Sequence, residues 1–139
     1  AVALLERCGE PLARRFARLA EAAPDLHRML PVYGTAARER GLAPLIETHD
    51  ASDLDLLAGR AWEMVGVNNR DLRTFEVDLA HSVAMRPRLP QGAIAVAESG
   101  IATRGDVARL QAAGFDAFLV GESLLLSENP AAKLAELVG

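Results

Sequence analysis

The 139-residue sequence is poor in cysteine, tryptophan, tyrosine and lysine. Its single cysteine, Cys8, cannot form an intrachain disulfide, so the fold is not a disulfide scaffold. No apolar run approaches the roughly 20 residues of a membrane span, and we expect no signal peptide, since the N-terminus lacks a basic region followed by a long apolar stretch. A net charge of -4 argues against nucleic acid or an anionic membrane as a partner.

The composition is that of a globular protein. Half of the residues are hydrophobic, which is too many for a disordered chain. At this length one core is expected and two are not, and no flexible linker marks a domain boundary. We therefore expect one domain that acts on a small molecule. The chain begins without Met, which favours a fragment or a processed chain.

From residue 43 onward the sequence repeats one pattern: a short apolar run, a polar or glycine-containing turn, and an amphipathic helical stretch. Because parallel strands need a helical crossover, this pattern predicts a βαβαβαβα order with a parallel sheet. Ser52 and Thr103 are predicted as helix N-caps, and Pro130 suits a first helical turn. The predicted strands cover residues 44–46, 64–67, 94–97 and 117–120.

The spacing of the predicted strands is compatible with a parallel (β/α) barrel of four to five βα units. A doubly wound open sheet uses the same units, so it stays open as an alternative. Residues 1–42 are less regular and are predicted as a divergent helical segment. In that segment residues 10–23 have a helical pattern, Pro24 and Pro31 are expected to break the chain, and a short helix at 35–40 is expected to stop at Gly41.

All four predicted strands end in polar residues or glycine. The carboxyl ends of parallel strands lie side by side, and active sites of α/β folds occupy that edge. The last two turns combine a glycine, a hydroxyl and free backbone amides, which suits a phosphate group. The strand-end residues are Glu47, then Asn68 and Arg70, then Glu98, Ser99 and Gly100, and finally Gly121, Glu122 and Ser123.

Four blocks resemble the indole-3-glycerol-phosphate synthase family: residues 44–50, 66–78, 96–101 and 116–124. The resemblance implies the second half of a (β/α)8 barrel, with residues 43–139 as strands five to eight. It implies a cytoplasmic lyase of tryptophan biosynthesis that works without metal or organic cofactor. Members of this family close and decarboxylate 1-(2-carboxyphenylamino)-1-deoxyribulose 5-phosphate to indole-3-glycerol phosphate.

The resemblance implies catalytic roles for three strand-end side chains. Glu47 resembles the fifth-strand carboxylate that takes part in proton transfer, a step that ring closure and dehydration require. Asn68 resembles the sixth-strand amide that orients the substrate, and Glu98 resembles the seventh-strand carboxylate. Arg70 resembles a supporting arginine of the substrate site, for which we expect an ion pair with Glu98 or Glu47.

The resemblance also places the substrate phosphate at the last two strand ends. Ser99 and Gly100 resemble the seventh-strand side of the phosphate clamp. Gly121 and the backbone amides of Glu122 and Ser123 resemble its eighth-strand side. Glu122 stands where some relatives have a small hydroxyl residue, so its N–H group is expected to bind phosphate rather than its side chain.

The family also uses lysines on its first and third strands, and this sequence has no counterpart of them. Its only lysine, Lys133, falls on the last predicted helix. We therefore expect negligible turnover from this chain alone. No metal site is expected, because the histidines lack ligand spacing.

Two alternatives to the interpretation as a synthase chain remain open. The chain is a half-barrel that homodimerises or complements an N-terminal half, or it is another phosphate-binding barrel, such as a thiazole synthase, that shares only the phosphate clamp.

Overall fold

The computed structural model describes residues 26–139, with side chains from residue 30 onward. The chain forms two compact units, Ala1–Pro44 and Leu45–Gly139. The helix predicted at residues 10–23 and the thiol of Cys8 lie outside the described residues. The division of the chain into a segment 1–42 and a family-like part 43–139 stays a prediction.

The described part of the first unit is one helix, α1 (Leu26–Arg38), which contains Pro31. The prediction that Pro31 breaks this region, with a separate short helix after it, is wrong. The fixed φ of proline is helical, so the ring removes one hydrogen bond without forcing an end. Gly41 ends the helix as expected: its φ is +70°, and the amide of Leu42 donates to the carbonyl of Ala37 at 3.0 Å.

The second unit is a four-stranded parallel sheet in the order β1-β2-β3-β4. Four parallel strands with intervening helices confirm the predicted α/β class and are consistent with part of a (β/α) barrel. In the part of the chain that the structure describes, no helix is both long and apolar enough to cross a membrane. The strands are β1 (Leu45–Thr48), β2 (Met64–Asn68), β3 (Ile94–Glu98) and β4 (Ala117–Leu119). The helices are α2 (Ala51–Leu57), α3 (Leu79–Met85), α4 (Arg104–Ala112), α5 (Glu122–Leu125) and α6 (Pro130–Val138), with a 3₁₀ turn at Arg86–Arg88.

The two faces of the sheet differ in exposure. Sequential parallel strands joined by right-handed crossovers carry their helices on one face, which we call the helix face. Its residues Thr48, Val65, Val67, Ala95 and Ala97 are at most 1% exposed. The alternate residues form the open face, where Leu45, Ile94 and Leu119 are 36%, 46% and 56% exposed.

Helix starts fix the loops that follow the strands. The N-cap of α2 is Asp50 and not the predicted Ser52, because Asp50 accepts from the Ser52 and Asp53 amides while Asp53 completes a capping box. Thr103 caps α4 as predicted, in a capping box with Asp106. Pro130 lies in the first turn of α6, again as predicted.

Candidate active site

The carboxyl ends of the strands bring three polar side chains onto the open face. Residues that pair across neighbouring strands point to the same side of a sheet. Glu47 of β1 pairs with Gly66 of β2, and Asn68 of β2 pairs with Glu98 of β3. Because Gly66 and Asn68 are two residues apart, Glu47, Asn68 and Glu98 all lie on this one face.

Glu98 is the buried acid of the group, with 4% of its surface exposed, and among residues 26–139 its Oε1 atom has no hydrogen-bond partner. Its carboxylate extends over Gly66, where an added Cβ would overlap Oε1. The strand partner of Gly66 is Glu47, so the two carboxylates are neighbours. Burial, and then the charge of Glu47, raise the pKa of Glu98 from 4.5 to about 7.

Glu47 has polar partners that Glu98 lacks. The amide Nδ2 of Asn68 donates to Glu47 Oε1 at 2.7 Å, and His49 Nε2 lies 3.2 Å from the same oxygen. His81 Nε2 donates to the backbone carbonyl of His49 at 2.8 Å, which ties helix α3 to this loop. The two neighbouring carboxylates therefore lie in different environments. Glu47 is contacted by nitrogen atoms of Asn68 and His49, whereas Glu98 is buried with no such contact to its Oε1 from the described residues.

Asn69 connects the ends of β2 and β3. Its side chain is 3% exposed and donates to the carbonyls of Glu98 and Ser99 at 3.0 and 3.2 Å. Its Oδ1 accepts from the backbone amide of Ser82 on α3 at 3.1 Å. The position of the Glu98–Ser99 backbone is therefore fixed by a buried amide from the neighbouring strand end.

Arg70 forms its ion pair with Glu122, and the expectation of a pair with Glu98 or Glu47 is wrong. Its Nη2 donates to Glu122 Oε2, and its Nη1 donates to the carbonyl of Phe75 at 3.1 Å. The cause is position: Arg70 lies in the loop beyond the strand end, where it bridges antiparallel to Val77. Its guanidinium reaches the loop after β4 rather than the open face of the sheet.

A cavity of about 510 Å³ lies between the ends of β3 and β4, and we call it the β3–β4 cavity. Two neighbouring wall residues, Ser99 and Gly100, have φ angles of +68° and +76°. A Cβ on Gly100 would overlap the side chain of Val77, so only glycine fits there. Its lining includes Arg70, Ser99, Gly100, Gly121, Glu122, Ser123 and the apolar Ile101, Leu119 and Leu126.

A second cavity, of about 760 Å³, lies beside the loop that follows β2. It is more polar and is walled by His49, Asn68 and His81 together with the acidic residues Asp50, Asp53, Asp71, Glu76 and Asp78. Arg70 lines both cavities, so its side chain forms part of the wall between them.

The family model of indole-3-glycerol phosphate synthase matches residues 26–137. The chain belongs to the indole-3-glycerol phosphate synthase family.

Curated relatives agree with this assignment. The chain is 49% identical to the indole-3-glycerol phosphate synthase of Variovorax paradoxus over 105 residues, which is 76% of this chain and 40% of that protein. It is 52% identical to the Chlorobaculum tepidum synthase over 91 residues, 66% of the chain and 36% of that protein. With the Chromobacterium violaceum synthase the identity is 45%, over 86% of the chain and 44% of that protein. The chain thus spans about two-fifths of these relatives.

Membership of this family bears on one of the two alternatives only, and the half-barrel alternative stays a prediction. The match over residues 26–137 is to the synthase family and not to another phosphate-binding barrel such as a thiazole synthase. The structure divides the predicted site residues into two groups. Glu47, Asn68 and Glu98 share the open face, and Arg70, Ser99, Gly100, Gly121, Glu122 and Ser123 line the β3–β4 cavity.

Sequence reasoning missed three residues that build the site. Gly66 makes room for the carboxylate of Glu98, and a glycine inside a strand run is the signal that was available for it. Asn69 was visible as part of a polar strand end, but its buried bridge to β3 depends on tertiary packing. His49 lies in the loop after β1, and its contact with Glu47 depends on side-chain direction.

Proposed function

We propose that this chain supplies the phosphate-binding half of an indole-3-glycerol-phosphate synthase, a carbon–carbon carboxy-lyase of tryptophan biosynthesis. The observation that carries the proposal is the placement of Glu47, Asn68 and Glu98 on one sheet face, beside a cavity lined by Ser99 and Gly100. A cytoplasmic location remains a prediction from the family resemblance.

The reaction closes a five-membered ring on the anthranilate unit and releases CO₂ and water. It therefore needs groups that deliver and remove protons beside the reacting carbons. We assign Glu47 as a proton acceptor, because Asn68 and His49 both contact its Oε1 and hold the carboxylate in place, so that Oε2 would take the proton. We assign Asn68 to orient both Glu47 and the substrate.

We assign Glu98 as the proton donor that complements the proton acceptor Glu47. Because its pKa is about 7, a large fraction of this carboxyl is protonated near neutral pH and is able to donate a hydrogen bond or a proton. Two adjacent carboxylates held in different environments form an acid and base pair. Oε1 of Glu98 is buried and has no partner in the described part of the chain, which supports a contact between this atom and the substrate.

The β3–β4 cavity is assigned to the substrate phosphate. Successive positive φ angles at Ser99 and Gly100 mark a tight turn in the wall of this cavity, and we assign the backbone amides of that turn to the phosphate. The hydroxyl of Ser123 donates to the carbonyl of Ile101 at 2.8 Å, which joins the two loops of the cavity. In this proposal Ser123 therefore contributes through its amide rather than its hydroxyl.

The expected activity of the 139-residue chain alone is negligible. Its only lysine, Lys133, lies on α6 and pairs with Glu136 at 3.0 Å, so it does not supply the missing strand-end lysines. General acid catalysis contributes on the order of 10²–10⁴-fold to rates of this kind. The phosphate site, in contrast, lies wholly within this chain.

Two measurements test the proposal. Turnover of the carboxyphenylamino-deoxyribulose phosphate substrate is expected to be undetectable with the purified chain, and activity near that of a complete synthase would contradict it. Titration with inorganic phosphate, followed by NMR, is expected to shift the amides of Ser99, Gly100 and Gly121. The absence of any shift at these amides at millimolar phosphate would refute the retained phosphate site.

A second function, assembly, is favoured by the open face. Leu45, Ile94 and Leu119 present apolar surface there, and among the described strands β1 and β4 form the two edges of the sheet, each with one paired side. We propose that the complementary four βα units of a synthase barrel cover this face, since the chain spans 36–44% of the relatives compared above. Light scattering of a mixture with an N-terminal half-barrel is expected to show a 1:1 complex, and a closed homodimer without that half would contradict this choice.

A further inference from the structure

The Arg70–Glu122 ion pair occupies the wall of the β3–β4 cavity. Both residues line this cavity, and Nη2 of Arg70 donates to Oε2 of Glu122 across the end of β3. The cationic side chain in this wall is thus paired with an internal carboxylate. A phosphate bound in the cavity would lie beside both side chains, attracted by one and repelled by the other.

The two partners are held to different degrees. Arg70 is fixed by three contacts: the ion pair, the donation to the Phe75 carbonyl at 3.1 Å, and its own amide, which donates to Asn68 Oδ1 at 2.9 Å. Its side chain is 28% exposed. The side chain of Glu122 is 63% exposed, and Arg70 is its only polar side-chain partner among the described residues. If the pair opens, Glu122 is therefore the side chain that moves.

We propose that Glu122 is an internal competitor for Arg70 and sets the phosphate affinity of the cavity. On binding, the phosphate takes the place of the Glu122 carboxylate at the guanidinium, and Glu122 turns into solvent. This inference rests on the proposed function and deepens it, because it names the side chain that limits anion binding. It concerns the Glu122 carboxylate, whereas the phosphate site itself was assigned to backbone amides.

The exchange is energetically feasible. An exposed ion pair contributes little, because water and salt screen it, so its loss is readily offset by a dianion at the same guanidinium. The competing carboxylate has a second effect: as long as it stays near the cavity, its charge repels the dianion. Removing that charge while keeping the shape of the side chain is expected to tighten phosphate binding by about threefold to tenfold.

The test is a titration of the 139-residue chain with inorganic phosphate at fixed ionic strength, in four forms: the unchanged chain, Glu122→Gln, Arg70→Gln and the double variant. Glu122→Gln is expected to bind phosphate about threefold to tenfold more tightly, and Arg70→Gln more weakly. In the Arg70→Gln background the gain from Glu122→Gln is expected to shrink, since the carboxylate has no cation left to compete for. Glu128→Gln, which removes an exposed carboxylate after α5, is the matched control for net charge.

The outcomes distinguish a failure of the competitor role of Glu122 from a failure of the phosphate site itself. If the unchanged chain binds phosphate and Glu122→Gln binds equally or more weakly, the competitor role is refuted while the phosphate site stands. If Glu128→Gln tightens binding as much as Glu122→Gln, the effect is one of net charge and the inference also fails. If no form binds phosphate, the phosphate site of the proposed function is itself refuted. An amide spectrum of each variant shows that the fold is retained.

Discussion

The helix face and the open face of the sheet are built from alternate residues of the same four strands, yet they differ in polarity and, on the outer strands, in exposure. On the helix face Thr48, Val65, Val67, Ala95 and Ala97 are at most 1% exposed. The open face carries Glu47, Asn68 and Glu98 at the carboxyl ends of the strands, with partly exposed Leu45 and Leu119 on the outer strands.

The comparison shows where stability and chemistry lie in this chain. Burial of apolar surface on the helix face stabilises the fold by roughly 25 cal/mol per Å² removed from water. On the open face Glu98 is a deeply buried ionisable group, and no other residue in the range 26–139 forms a hydrogen bond to its Oε1, which opposes stability. We infer that the helix face holds the strands in register, and that this rigidity allows the open face to keep a carboxyl in an unfavourable environment.

The largest expected effect on stability comes from a substitution that disrupts the packing between the helices and the sheet. Leu110 of α4 is fully buried, and truncation of such a side chain costs about 2–5 kcal/mol because it leaves a cavity. Leu110→Ala is therefore expected to lower the free energy of unfolding by that amount, as measured by urea denaturation monitored by circular dichroism.

Leu119→Ala is the matched variant on the open face. Leu119 is 56% exposed on the outer strand β4, so the same truncation is expected to cost about 0.5 kcal/mol or less. If Leu110→Ala and Leu119→Ala lowered the free energy of unfolding equally, the open face would be packed as tightly as the helix face. The proposed difference between the two faces would then be wrong.

The next effect concerns the pH dependence of stability and originates in Glu98. Its pKa is about 7 in the folded chain and near 4.5 when unfolded, so between these values the folded state binds more protons. The free energy of unfolding therefore falls as the pH rises through this window, by about 2–3 kcal/mol between pH 5 and pH 8. Urea denaturation at several pH values measures this slope.

Glu98→Gln is expected to remove most of that slope, because the amide does not ionise and has nearly the same shape. The exposed carboxylate of Glu128 provides the control, and Glu128→Gln is expected to leave the slope unchanged. A Glu98→Gln chain that keeps the full pH dependence would show that another group titrates, and that Glu98 is not the destabilised carboxyl of the open face.

The sequence predicted the strands well because their signal is local. Each strand is a short apolar run followed by a polar residue or glycine, and the structure confirms all four within one or two residues at each end. The helix around Pro31 was predicted wrongly, since proline preferences are weaker than the continuity of a helix when φ is compatible. The true N-cap, Asp50, lies two residues before the predicted one and depends on a reciprocal contact with Asp53.

The site was predictable as a set of positions but not as a set of contacts. Positions at strand ends follow from the topology of a parallel sheet, which is why all nine predicted residues lie at one end of it. The partner of Arg70 depends on the course of the loop after β2, which bridges back on itself through Arg70 and Val77. The room that Gly66 gives to Glu98 depends on the register of three strands, which a single sequence does not specify.

The smallest expected effect concerns Thr48, the one polar residue among the strand residues of the helix face. Thr48 lies on the helix face, is 1% exposed, and donates its hydroxyl to the carbonyl of Gly66 at 2.7 Å. If polar groups on that face act only in structure, Thr48→Val is expected to cost about 1 kcal/mol of stability, since the shape is kept and one buried hydrogen bond is lost.

Phosphate binding is the control for Thr48→Val, because it reports on the β3–β4 cavity and not on packing at the helix face. The shifts of Ser99 and Gly100 on titration with inorganic phosphate are expected to be unchanged in this variant, since Thr48 does not line the β3–β4 cavity. Because Gly66 lies beneath the carboxylate of Glu98, a movement of β2 would instead alter the environment of Glu98. A variant that loses both stability and the pH dependence assigned to Glu98 would show that the faces are coupled through Gly66, and that the helix face also tunes the acid.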